Sequence, residues 1–187
     1  QDDLHAEHVF VIDPIDGTMN FVKNFNHSCI SIGYLHNGVP TAAAVYDPYM
    51  DEMFSAIKGE GAWLNGTPIR AAETPLSENV FSMGTSPYIP ENTDESFRLA
   101  RIPYDASLDL RRGASAELDL AYVAAGRSGL FFELSLSFWD YAAGMLLVEE
   151  AGGKCTSLDF SPLPLDGRKS SVLAGGRQCY DDFAKLM

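Results

Sequence analysis

Two hydrophobic periods alternate along this chain, and the switches between them mark out its elements. Val9, Phe10, Val11 and Ile12 are apolar at every position, which predicts a short strand buried on both faces. It should end at Asp13-Pro14, because proline lacks a ladder donor and biases the preceding residue towards extended geometry. A β-rich stretch follows. Residues 29–35 form one strand, His36-Asn37-Gly38 carries a hairpin signal, residues 40–46 return, and residues 52–57 make a third strand. Gly59-Glu60-Gly61 breaks that strand and Asn65-Gly66 marks another hairpin, so the segment reads as an antiparallel meander.

The second half changes period. Residues 86–93 hold two prolines and read as loop, residues 94–101 as a short helix, and residues 108–112 as a strand. Ala116, Leu120, Val123 and Ala124 fall at helical spacing over residues 115–125, with Ser115 as N-cap. Ala142, Met145, Leu146 and Ala151 define a helix over residues 141–151, stopped by Gly152-Gly153. Residues 129–133 and 171–174 read as strands, and residues 180–187 as a helix. There is no internal repeat, low-complexity run or linker. A chain of 187 residues buries one sizeable core, so one domain over residues 1–187 with layered α/β (α+β) packing is expected, not a barrel.

Composition adds exclusions. A formal net charge of −13 disfavours non-specific binding to nucleic acid or anionic membranes. It leaves phosphate substrates open, because acidic residues that hold divalent cations reverse the local field. No apolar run is long enough to cross a bilayer and no signal peptide opens the chain, while Gln1 is not an initiator methionine. Cys29, Cys155 and Cys179 are widely spaced, which points to buried thiols in a reducing, cytoplasmic setting.

The strongest local chemistry is Asp13-Pro14-Ile15-Asp16-Gly17-Thr18, with two carboxylates where a strand ends. Hard oxygen donors and the Ile15 carbonyl between them suit Mg²⁺, and no His or Cys is adjacent to favour Zn²⁺. Gly17 permits close backbone approach, the amides of Gly17 and Thr18 can donate to phosphate, and the Thr18 hydroxyl can orient a water. An Asp-capped turn accounts for the same residues equally well. Asp140 sits ahead of a helix, where a plain N-cap competes with a third metal-binding carboxylate. Trp139 reads as core. Glu133 follows an apolar run, where solvent exposure competes with a substrate-hydroxyl contact. His5, His8, His27 and His36 lack metal-ligand spacing, and Arg111-Arg112, which could attract an anion, reads rather as a solvated strand edge.

The segments VFVIDPIDGTMNFV and FWDYAAGMLLVEEAGG resemble the two signature motifs of the inositol monophosphatase family, and their order and separation fit as well. CISIGYLHNGVPTAAAVYDP, GEGAWLNGTPIR and ASAELDLAYVAAGR resemble the intervening family segments. The resemblance runs from His8 to the end. It implies a sugar-phosphatase-like αβαβα sandwich, here lacking its N-terminal helical segment and the Glu metal ligand which that segment carries. It also implies a small-molecule phosphate monoester substrate, two or three Mg²⁺ ions, lithium sensitivity and a homodimer. By the same resemblance Asp13, the Ile15 carbonyl, Asp16 and Asp140 match metal ligands. Asp16 and Thr18 match catalytic positions, and Gly17 and Thr18 the phosphate-binding turn. Ala114, Ser115 and Ala116 match a substrate-contacting helix start, and Glu133 a group that bonds substrate hydroxyls. Ala114 stands where glycine is commoner, with little effect expected. Inositol 1-phosphate is the implied substrate; another sugar, histidinol or nucleotide phosphate, or a non-catalytic binding role, are the alternatives.

Overall fold

The hairpin signals are realised in a six-stranded antiparallel sheet of consecutive neighbours. It comprises β1 (His8–Asp16), β2 (Cys29–His36), β3 (Val39–Asp47), β4 (Glu52–Ile57), β5 (Gly61–Leu64) and β6 (Thr67–Ile69), with a short helix α1 (Thr18–Val22) after β1. The structure, a computed structural model, describes residues 4–187. A second, mixed sheet follows the order β10-β11-β9-β7-β8. Its strands are β7 (Val80–Met83), β8 (Asp109–Arg111), β9 (Leu130–Leu136), β10 (Lys154–Thr156) and β11 (Ser170–Gly175). The remaining helices are α2 (Thr93–Tyr104), α3 (Ala116–Ala124), α4 (Ala142–Glu150) and α5 (Arg177–Leu186).

Two apolar clusters define the layers. One joins Val9, Val11, Val45 and Phe54 of the first sheet to α3, α4 and one face of the second sheet, including Phe131, Val172 and Ala174. The other joins the opposite face of the second sheet, Phe81, Leu130, Phe132 and Leu173, to Leu99 of α2 and Phe183 of α5. The stack is therefore sheet, helices, sheet, helices. Strands β9 and β11 send alternate side chains into different clusters, which is why their sequences are continuous apolar runs. Helix α4 is buried from Ala142 through Val148 because it lies between the sheets.

The expectation that residues 9–12 are buried on both faces is not met. Val9 and Val11 point into the core, but Phe10 is 65% and Ile12 52% exposed. Strand β1 lies at the edge of the first sheet, and that sheet packs on helices through one face only among the described residues. Ile30, Ile32, Met53 and Ile57 are likewise exposed. Nor does β1 stop at Asp13. It continues to Asp16 through a register shift between the pairs Asp13↔Ser31 and Asp16↔Cys29. Pro14 fits there because an edge strand at an irregularity tolerates a missing donor.

Other boundaries move less. Helix α2 extends beyond residues 94–101 to Tyr104, with Pro103 in its last turn, and β9 runs on to Leu136. The 86–93 loop contains a 3₁₀ turn at Pro90–Asn92. Strands β7 and β10 have no counterpart in the sequence reading. Trp139 is 50% exposed rather than core. The three cysteines are free thiols and buried.

Candidate active site

The β1 irregularity places Asp13 and Asp16 in one cleft. Asp13 is half-buried, and its Oδ1 accepts the Ile15 amide at 3.0 Å. Asp16 is buried; its Oδ2 accepts the Ser115 hydroxyl at 2.5 Å and the Glu117 amide at 2.9 Å. Its partners correct the reading of Ser115. That residue occupies the N-cap position of α3, but its hydroxyl makes no capping bond. Asp16 instead receives an orphan amide of α3 from a distant part of the chain.

A parallel correction applies to Asp140. It does not cap α4. It closes a 3₁₀ turn, Phe138–Asp140, in a capping box with Ser137, whose amide donates to Asp140 Oδ2 at 2.7 Å. The N-terminus of α4 is capped by the fully buried Glu117, which accepts the Gly144 amide at 2.6 Å and the Ala143 amide at 3.2 Å. Asp16 thus holds the start of α3, and α3 holds the start of α4. Gly144 is required here, since a Cβ on it would lie 2.5 Å from Leu120 Cβ and 2.7 Å from Glu117 Oε2.

One carboxylate oxygen from each of Asp13, Asp16 and Asp140 lies within 4.8 Å of the others. The bonds above engage one oxygen of each residue. The cluster opens into a cleft of about 520 Å³ that also contains Gly17, Thr18, Ala114, Ala116, Glu133, Arg112 and Lys169. Gly17 has φ +81°, and a Cβ there would come within 3.1 Å of Ser115 Cβ, so both the turn and the close approach of α3 need glycine. The Thr18 hydroxyl donates to the Ile15 carbonyl at 2.9 Å. Ala114 adopts φ +63°, so the exchange of glycine for alanine is not without effect: it places a Cβ in the left-handed region.

Burial raises the pKa of all three cluster carboxyls. Asp16 is pushed up to about 6, mainly by desolvation and further by the charges of Asp13 and Asp140, against the donors Ser115 and Glu117. Asp13 and Asp140 shift in the same direction for the same leading reason. Three acids crowded out of water and against one another are unfavourable without a cation, and their hard oxygens suit Mg²⁺ over softer metals. The chemistry of the donor set therefore fits the metal implied by the sequence motifs.

Glu133 is buried, not solvent-facing. Its Oε1 accepts the Ser86 amide at 2.8 Å and the Ser86 hydroxyl at 3.1 Å, and burial pushes its carboxyl up to about 7. Gly84 leaves room for it, because a Cβ there would sit 1.7 Å from Glu133 Oε2. Arg112 leaves the strand edge predicted for it, bonds Thr85 Oγ1 at 3.0 Å and lines the cleft, whereas Arg111 pairs with Asp109 as expected of an edge. Lys169 lines the same cleft and opposes the rise at Asp140. Arg112, Lys169, Ser86 and Glu117 were missed as site residues. Only the Arg-Arg pair gave a signal, and its second member was assigned to solvent.

The whole described chain has relatives. The model of the inositol monophosphatase family matches residues 1–186. A Nus factor SuhB from Xylella fastidiosa is 44% identical over 146 residues, covering 78% of this chain and 53% of that protein. An inositol-1-monophosphatase from Rhizobium meliloti is 38% identical over 170 residues, covering 90% and 63% respectively. The chain thus spans roughly half to two thirds of the length of these curated relatives. Among solved structures, the inositol monophosphatase of Anabaena (Nostoc) superimposes with a TM-score of 0.89 at 36% identity, covering 98% of this chain and 73% of that one. An IMPase/NADP phosphatase solved with Mg²⁺ and phosphate gives a TM-score of 0.86 at 27% identity, covering 98% and 68%. No described helix is long and apolar enough to cross a membrane. The motifs, the paired sheets with helices between them, and the full-length match place this chain in the inositol monophosphatase family.

Proposed function

We propose that the protein containing this chain hydrolyses a phosphate monoester in the presence of Mg²⁺. The observation that carries this reading is the convergence of Asp13, Asp16 and Asp140, from two distant segments, within 4.8 Å at the mouth of one cleft. Asp13, Asp16, Asp140 and the Ile15 carbonyl would hold the ions. Bound Mg²⁺ supplies a water of lowered pKa and neutralises phosphate charge.

The chain's own residues then divide the work. The amides of Gly17 and Thr18 receive phosphate oxygens, and the Thr18 hydroxyl orients the attacking water. Asp16 is held by Ser115 and by the α3 amide, so the cluster keeps its shape when the charge on phosphorus rearranges. Ala114 and Ala116 line the substrate side, while Ser115, expected there too, is buried and serves by holding Asp16. Glu133, fixed by Ser86, accepts hydroxyls of a polyol, which puts inositol 1-phosphate first among substrates. Arg112 and Lys169 add positive charge in the same cleft. The buried free thiols are consistent with a cytoplasmic setting, and a homodimer is proposed on family likeness alone.

A second reading has one specific support: several relatives carry the name Nus factor. In that reading the cleft is retained in a protein whose role is not hydrolysis. Phosphate release from inositol 1-phosphate, histidinol phosphate, fructose bisphosphate and an adenosine bisphosphate separates the two. Mg²⁺-dependent turnover of any of them, lost in Asp16→Asn, supports the enzyme. Absence of turnover across the panel in the full-length protein defeats it.

A further inference from the structure

Two of the histidines that show no ligand spacing along the chain, His8 and His36, are brought together across it. His8 opens β1 and His36 ends β2, and the two are directly paired in the antiparallel register. Their side chains share a face and their rings stack at 5.0 Å. Glu7 completes the group. Its Oε1 lies 3.6 Å from His8 Nε2 and 3.5 Å from His36 Nε2. One donor atom from each of the three residues lies within 4.8 Å of the others.

Three features distinguish this cluster from a chance surface network. First, both imidazoles turn the same nitrogen, Nε2, to the same carboxylate oxygen. Second, His8 Nδ1 is engaged by Tyr34 Oη at 2.7 Å, an outer hydrogen bond that orients the ring and leaves Nε2 to bind outward. Third, the two gaps to Glu7 are nearly closed: ligands about 2.0–2.1 Å from a tetrahedral Zn²⁺ stand about 3.3 Å from one another. The gaps of 3.5 and 3.6 Å need only a small contraction. The stacked rings must turn about χ2 for their lone pairs to converge, and both side chains are roughly half exposed. Asn37 Nδ2, 3.3 Å from His36 Nε2, would give up that contact.

We propose that Glu7, His8 and His36 form a transition-metal site of the Zn²⁺ class, separate from the carboxylate cleft, that clamps β1 to β2 at the far end of β1. Two imidazoles and one carboxylate select Zn²⁺, Ni²⁺ or Cu²⁺ and disfavour Mg²⁺. Three protein ligands leave a fourth position for water or an incoming donor.

Zn²⁺ titration calorimetry in millimolar Mg²⁺ tests this on the wild-type protein, on His36→Gln, on Tyr34→Phe and on an Asp13→Asn/Asp140→Asn double variant. The wild type and the double variant should each retain one Zn²⁺ equivalent. His36→Gln should weaken it about 100-fold, and Tyr34→Phe about 10-fold through the lost outer hydrogen bond. Zn²⁺ should raise the melting temperature of the wild type by several degrees and leave that of His36→Gln unmoved. Melting in EDTA confirms that the exposed substitutions leave the fold intact. Equal Zn²⁺ affinity in His36→Gln and wild type overturns the proposal, as does the absence of a Mg²⁺-resistant equivalent in the wild type.

Discussion

A group of three metal-capable side chains gathers at each end of strand β1, which supplies His8 to one and Asp13 and Asp16 to the other, and the two groups differ in every property that sets metal choice. At the Asp13–Asp16 end the donors are all carboxylates, partly or wholly buried, each oriented by a backbone amide. At the His8 end they are two imidazoles and one carboxylate, all exposed. The first group is destabilised in its charged form, chiefly by burial and at Asp16 and Asp140 also by neighbouring carboxylates, until a cation arrives. The second stands in water and costs little when empty. If both proposed sites hold, burial ties the acidic end to ion binding, while exposure leaves the histidine end optional. One strand can carry both because its edge position keeps one end in solvent while its irregularity turns the other into the cleft.

Substitutions can break this contrast. Asp16→Asn should have the largest effect, lowering Mg²⁺-dependent phosphate release by on the order of 10³-fold or more, since several kcal/mol of charge stabilisation depends on that cluster. Turnover within a factor of ten of wild type would remove the acidic end from the chemistry.

The next effect concerns pH. Glu133 is pushed from the ordinary 4.5 up to about 7 by burial. Between those values the folded protein keeps a proton that the unfolded chain has released, so stability falls as pH rises from about 4.5 through 7. Glu133→Gln should flatten the pH dependence of unfolding in EDTA by up to about 3 kcal/mol over that window. Parallel curves for the two proteins would mean that Glu133 is better solvated than its surroundings imply.

A smaller gain is expected from Ala114→Gly. Relief of a left-handed alanine should stabilise the protein by about 1 kcal/mol, read from urea unfolding. The smallest effect sharpens the comparison most. His8→Gln should leave Mg²⁺-dependent phosphate release within about twofold of wild type, because surface changes away from such features rarely cost more than about 0.5 kcal/mol.

Much of this was legible in the sequence, for identifiable reasons. The meander followed from Asn37-Gly38 and Asn65-Gly66, because turn geometry is a local property. Helices α3 and α4 followed from their apolar spacing. Asp13, Asp16, Thr18, Asp140 and Glu133 were singled out by motif, and all five line one cleft. What escaped was non-local. Burial of β1 on one face rather than two depends on which layers cover the sheet, not on the strand's own residues. The capping of α4 by Glu117 cannot be seen from Asp140, which is the nearer acid in sequence and the natural guess. His8 and His36 look unrelated at a separation that only strand register makes meaningful. Arg112 and Lys169 reach the cleft from segments whose path has no sequence period.

The bond from Asp16 to α3 and the bonds from Glu117 to α4 form a continuous relay between the rim and the centre of the molecule. Shape changes deep in the helical layer should therefore register at the surface. An alanine at Gly144 would press on Leu120 and on Glu117, and through α3 on the seat of Asp16. Loss of function from such a change would be a fault of alignment, and scanning the interior for it would trace how far the cleft's geometry is set from within.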